Sequence, residues 1–262
     1  MYYVLGAICR LAREAALPTL LLCPLSCMPA AEALEVQDAV DAVVDYARKA
    51  MYPQAPLPLE KAVAGWVFIG GMADEWTGIM HNVANHTPWL PIDGEQVKAY
   101  HYWHMGDAEN FDKAAGKLAE RLQAFRTINP AAPLVLVGHS LGASTALQAA
   151  AKLDGKPGGP VYLVTLDPVD RLTKPVRPQC VTWWGNCYIV NSQDARDVIP
   201  QIGGRWNACQ GADVNIRMDG RTRDDYGYLY QHGGAMSMFF CKGDAAQSLY
   251  LQLCDQVRKA RR

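Results

Sequence analysis

Short runs of apolar and β-branched residues alternate along this chain with longer segments whose apolar residues recur every three to four positions. That alternation constrains the fold more than any other feature. The runs are AVAGWVFIGG (62–71), QVKAYHYWH (96–104), PLVLVG (133–138), GPVYLVTLD (159–167) and CVTWWGNCYIVN (180–191). Between them, residues 74–86 read as a helix with Asp74 at its N-cap. Residues 108–125 place Phe111, Ala114, Ala115, Leu118, Leu122 and Phe125 on one helical face. A small-residue helix begins at Ser140, and a last helix spans Ala245 to Val257. Strands separated by helices of ten or more residues cannot form hairpins, so they pair in parallel, in a sheet that needs helices on both faces. The expected fold class is α/β, a mostly parallel β-sheet flanked by helices on both faces.

With 262 residues, half of them apolar, the chain can bury one substantial core, and it shows no internal repeat. A net charge of −1 excludes nucleic acid as the main partner, because no basic excess is present to neutralise phosphates. The N-terminus differs in character. Arg10 and Arg13 precede a stretch free of charge, AALPTLLLCPLSCMPAA (15–31), which is too short and too interrupted by Pro18, Pro24 and Pro29 to span a membrane as a helix. A basic start, an apolar centre and small residues around Ala31 and Ala33 fit an export signal over residues 1–33, followed by one domain from 34 to 262. LSC at Leu25–Cys27 also resembles part of a lipoprotein signal. The expected location is therefore periplasmic, outer-membrane or secreted, and cytoplasmic if residues 1–33 are a core helix instead. Val36–Met51 reads as an amphipathic helix, ended by Pro53, Pro56 and Pro58.

Of eight cysteines, Cys180, Cys187, Cys209, Cys241 and Cys254 lie beyond that leader. An odd number leaves at least one free thiol if the others pair, and five buried thiols are the alternative. Cys180 and Cys187 cannot pair with each other in an extended strand, where they stand roughly 23 Å apart and a disulfide needs about 7 Å or less. No C-x-x-C pair suggests zinc. His101 and His104 fall on opposite faces of a strand, which is poor metal geometry, and Trp183 and Trp184 alternate in the same way.

The chemistry concentrates in VGHSLGAS (137–144), where a G-x-S-x-G sequence joins the end of a strand to the start of a helix. There Ser140 sits on a sharp turn with its hydroxyl above the sheet, and the glycines are required because the turn brings backbones together. The Leu141 N–H, at the helix start, faces a developing oxyanion. A serine hydroxyl needs a base, and of the six histidines only His232 lies downstream of Ser140, where strand–elbow–helix hydrolases of the kind this stretch resembles carry theirs, after the acid. For the acid, Asp167 ends a strand and is turned at once by Pro168, while Asp194 and Asp197 follow the next strand and compete for the role. Asp170 and Asp213 read as solvated or structural. A second oxyanion N–H belongs to the FIGGMADEW loop, from Met72 or Gly71.

On these residues the chain resembles serine hydrolases of the α/β-hydrolase fold, lipases and esterases in particular, over roughly residues 60–240. VGHSLGAS resembles their nucleophile elbow, and TLDPVD (165–170) resembles the LDPA segment of lipases, which favours Asp167 as the acid. The resemblance implies hydrolysis of a carboxylic ester, small or lipidic, through Ser140, His232 and Asp167, with Leu141 and Met72 holding the oxyanion and with no metal or organic cofactor. A lipid substrate or lipidation implies association with a membrane surface. The same triad serves thioesters, so a thioesterase is the near alternative. A non-catalytic binding protein that keeps the fold is the distant one. Segment 199–223 has no counterpart in the resemblance, and the polar, glycine-rich stretch 201–225 reads as either a lid or an edge hairpin.

Overall fold

A computed structural model describes residues 61–72, 74–101, 111–193 and 197–260. The export segment, the helix at 36–51, His104 and Asp194 lie outside these residues. Among the described residues six strands form one sheet: β1 (Ala64–Ile69), β2 (Gln96–His101), β3 (Leu134–His139), β4 (Val161–Leu166), β5 (Val181–Val190) and β6 (Val214–Asp219), in the order β2-β1-β3-β4-β5-β6. Every pairing is parallel. The helices are α1 (Asp74–Thr77), α2 (Ile79–His86), α3 (Phe111–Ile128), α4 (Leu141–Ala151), α5 (Val198–Gly203), α6 (Ala235–Phe240) and α7 (Leu249–Lys259).

The central strands are apolar throughout because both faces are covered, yet period-two alternation sorts their side chains into two layers. Trp66, Phe68, Val135, Val137, Tyr162 and Val164 point to one layer, where Met80 and Val83 of α2, Met238 and Phe239 of α6, and Leu249, Leu253 and Val257 of α7 meet them. Val67, Ile69, Leu134, Leu136 and Leu163 point to the other, against Leu118, Leu122 and Phe125 of α3 and Ala146, Leu147 and Ala150 of α4. Each such buried aliphatic or aromatic side chain contributes about 1.5–3 kcal/mol. Trp183 and Trp184 divide the same way, one into each layer, and Trp184 donates its indole N–H to Thr165 Oγ1 at 3.0 Å. A parallel sheet with helices on both faces, carrying a strand–elbow–helix at β3–α4, is the α/β-hydrolase fold.

Three readings change. Residues 74–86 are two helices, because Gly78 adopts a left-handed conformation (φ 61°) between them. The Asp74 carboxylate then reaches forward, accepting from Thr77 Oγ1 at 3.3 Å and from the Met80 N–H at 3.2 Å, so it caps the second helix. The α3 helix runs later than expected, to Ile128. The stretch 201–225 is neither lid nor hairpin: it supplies the end of α5 and then β6, an edge strand parallel to β5.

Among the described residues, Cys180, Cys187, Cys209, Cys241 and Cys254 are all free. Burial raises the thiol pKa of each, to about 12 for Cys180 and Cys209. Protonated thiols pack as small apolar groups and are poor nucleophiles.

Candidate active site

The site assembles at the carboxyl ends of β3, β4 and β5. Beyond β3 the chain turns at Ser140, whose φ of 57° and ψ of −128° lie in a region that non-glycine residues avoid at a cost of about 1–3 kcal/mol. Neighbouring backbone fixes that turn. The Ser140 N–H donates to the Leu166 carbonyl at 3.0 Å, and the Ser140 carbonyl accepts from Ala143 at 3.1 Å and from Val169 at 3.2 Å. The flanking glycines are sterically required. A Cβ on Gly138 would stand 2.5 Å from the Gly142 carbonyl oxygen, and one on Gly142 would stand 2.3 Å from the Ile69 carbonyl oxygen. The loop after β1 also approaches closely, since a Cβ on Gly71 would meet Ser140 Cβ at 2.8 Å and the Leu141 nitrogen at 3.2 Å. The 70–72 loop and the first N–H of α4 therefore share one side of Ser140. Met72 stands beside Gly71 with its side chain largely in solvent.

Asp167 follows β4 with φ 40° and is fully buried. Its N–H donates to the Cys187 carbonyl at 2.8 Å, extending the sheet ladder by one residue, and its Oδ1 accepts from the Ile189 N–H at 3.1 Å. His232 lies in the loop before α6. Its Nδ1 is 2.7 Å from Asp167 Oδ2, and its Nε2 is 3.0 Å from Ser140 Oγ. With the proton on Nδ1 donated to the carboxylate, Nε2 presents a lone pair to the serine hydroxyl. The three residues separated by 27 and 65 positions in sequence are thus joined in one hydrogen-bonded line.

Two further groups around His232 escaped the sequence reading. Nε2–H of His139 donates to the His232 carbonyl at 2.7 Å, and the two imidazoles face each other with centroids 4.7 Å apart. Burial, together with the nearby His232 charge, lowers the His139 pKa to about 3, so this ring stays neutral and its Nε2 stays a donor. On the other side, Nη2 of Arg205 donates to Asp167 Oδ2 and Asp197 Oδ2, each at 2.8 Å. Burial opposes the Arg205 charge, but Asp167 and Asp197 outweigh it and raise the guanidinium pKa above its ordinary value. Asp197 holds the histidine by the backbone instead of the ring: its Oδ1 accepts the His232 N–H at 3.2 Å. Of the competing acids, Asp167 meets the imidazole and Asp197 the main chain.

The residues read as structural behave so. Asp170 accepts from Ser144 Oγ and from the Leu172 and Thr173 N–H groups, and Asp213 accepts from the Trp184 N–H and pairs with Arg177. His101 is buried, its Nδ1 3.3 Å from an Arg121 nitrogen. Among the described residues no group of three or more His, Cys, Asp or Glu side chains could hold a metal ion. Nor is any described helix long and apolar enough to cross a membrane.

Fold and elbow define the class, a hydrolase of the α/β-hydrolase fold and of the serine-hydrolase kind. Within that class, the thioesterase domain family model matches residues 86–170, the stretch that carries β2, β3, the elbow and β4 through Asp170. This match favours the thioester alternative over the carboxylic-ester reading. No curated protein matches the chain. Solved structures that resemble it include the NocB thioesterase domain in covalent complex with a fluorophosphonate nocardicin G analogue, at 14% identity and a TM-score of 0.35, covering 63% of this chain and 88% of that one.

Proposed function

We propose that this chain hydrolyses thioesters through Ser140, His232 and Asp167. The observation that carries the reading is the single imidazole set between a strained serine at 3.0 Å and a buried carboxylate at 2.7 Å. The family match across the elbow supports the thioester as the scissile group. Ser140 Oγ attacks the carbonyl carbon while His232 Nε2 takes its proton, and Asp167 stabilises the imidazolium. The oxyanion of the tetrahedral intermediate accepts from the Leu141 N–H and from the Met72 or Gly71 N–H. Collapse breaks the C–S bond, the imidazolium protonates the departing thiolate, and a water activated by the same imidazole then releases the acid from Ser140. No metal or organic cofactor takes part.

The test compares acyl-thioester turnover with p-nitrophenyl ester turnover, for the native protein and Ser140→Ala, alongside labelling by a fluorophosphonate. Labelling lost with Ser140→Ala and thioesters turned over faster than oxygen esters are the expected results. Faster oxygen-ester turnover returns the carboxylic-ester reading, lipases included. Intact folding without labelling overturns the enzyme and leaves a binding protein.

Residues 1–33 are part of the proposal as an export segment, with one domain from 34 to 262, on the strength of Arg10 and Arg13 before the uncharged stretch 15–31. The mass of the mature secreted chain tests this, and an uncleaved chain kept in the cytoplasm overturns it.

A further inference from the structure

The sequence reading required one acid beside His232, and the structure places one carboxylate on its imidazole, a second on its main-chain N–H, and one guanidinium between the two carboxylates. Asp167 is fully buried, and the Asp197 side chain is nearly so. Two carboxylates that share one site repel each other, and a cation between them offsets that repulsion. One nitrogen, Arg205 Nη2, lies 2.8 Å from an oxygen of each. The main chain brings it there. The Trp206 N–H donates to the Pro168 carbonyl at 2.8 Å, the Asp170 N–H donates to the Gly204 carbonyl at 3.0 Å, and Val169 bridges Arg205. The segment after α5 is therefore stitched along the turn that carries Asp167.

We infer that Arg205 is a positioning residue for the triad: it fixes Asp167 Oδ2 on the imidazole and offsets the repulsion between Asp167 and Asp197. The inference rests on the triad reading above. Asp167 Oδ2 accepts from both His232 Nδ1 and Arg205 Nη2, so this oxygen is held from two directions while Oδ1 is tied to the Ile189 N–H. Among the described residues, the charged and titratable groups packed on the site are Asp167 after β4, Asp197 and Arg205 flanking α5, His139 at the end of β3 and the Cys187 thiol on β5, itself next to Asp167. His139 is neutral and the thiol protonated, so among the described residues the two carboxylates face the one guanidinium.

The signs of two substitutions follow. Arg205→Met leaves the Asp167 carboxylate on the imidazole and the Asp197 carboxylate on the His232 main chain without their shared cation, and moves the acidic limb of the pH–rate profile upward by about one pH unit. Asp197→Asn leaves Arg205 to Asp167 alone, keeps an oxygen for the His232 N–H and moves the same limb downward. A scaffold role shared by both residues lowers the folded fraction and moves neither limb, so opposite displacements are specific to charge balance. Arg205→Lys keeps the charge but replaces the planar fork with a single ammonium; it is expected to restore the limb without full turnover.

The experiment is the pH dependence of kcat/KM for a thioester substrate in the native protein and these three variants, each also labelled with a fluorophosphonate. Opposite limb shifts with Ser140 labelling retained support the inference. Unmoved limbs in Arg205→Met and Asp197→Asn, with labelling intact, overturn it and leave the triad standing. Absence of labelling in the native protein overturns the triad reading itself.

Discussion

Nε2 of His139 donates to the carbonyl oxygen of His232 at 2.7 Å while the two rings face each other. The residue that precedes the nucleophile thereby holds the main chain of the base. His139→Phe keeps a ring against His232 but strands a part-buried carbonyl without its donor, which costs about 1–3 kcal/mol. The expected outcome is a lower melting temperature and turnover reduced about tenfold or more, measured by thermal unfolding and thioester hydrolysis.

Asp167→Asn tests the acid directly. The amide cannot accept from Nδ1–H, Arg205 and Ile189 as the carboxylate does, and it favours the wrong imidazole tautomer. Turnover should fall by about 10⁴, as in the corresponding change in chymotrypsin-type triads. Circular dichroism should show the fold retained. Full turnover in this variant would return the role to Asp194.

His139 and Asp74 give stability opposite dependences on pH. The folded-state pKa of His139 is lowered, by burial first, from 6.5 to about 3, so its contribution is complete above 6.5 and erodes as pH falls toward 3. That of Asp74 is raised, by burial first, from 3.8 to about 6, so its contribution is complete below 3.8 and is lost as pH rises toward 6. Between about pH 4 and 6 the two slopes, each at most about 1.4 kcal/mol per pH unit, oppose one another. Urea unfolding across this window should show stability changing more steeply downward with rising pH in His139→Gln than in the native protein. In Asp74→Asn it should change more steeply downward with falling pH. Parallel curves in all three proteins would refute the assignment.

Two glycine substitutions separate scaffold from chemistry. The Cβ of Gly142→Ala meets only backbone, the Ile69 and Gly70 carbonyl groups at 2.3 and 2.6 Å, so the helix must shift and stability should drop by about 1–3 kcal/mol. The Cβ of Gly71→Ala is aimed at Ser140 and Leu141. It should reduce kcat more than it reduces the melting temperature, because it displaces the loop from the oxyanion side of the nucleophile.

Legibility followed the range of the forces involved. The sheet was readable because each central strand is a short apolar run between helical patterns, and Ser140 because two glycines mark a turn that only small residues permit. His232 was readable by chain order, being the last histidine. The same rule hid His139, which precedes the serine and acts on a carbonyl instead of a proton in transit. Arg205 was hidden because it lies 38 residues from Asp167 in a polar stretch, where nothing local distinguishes a buried cation from a solvated one. In β6, VNIRMD alternates with period two, burying Ile216 and Met218 only. An edge strand with one apolar face looks polar on average, and so the segment read as a lid or an edge hairpin. Gly78 divided a helix that periodicity alone runs together, since periodicity reports which face is buried and not whether the backbone is continuous.

The bonds from Ser140 to Leu166 and from Val169 to Ser140 join two strand ends across a crossover of two dozen residues. Proximity of the nucleophile to its acid is therefore owed to neighbouring strands and not to the peptide that connects them. A circular permutant opened at the exposed turn between Gly155 and Lys156 would put Ser140 near one terminus and Asp167 near the other, and should still bring both to the same imidazole.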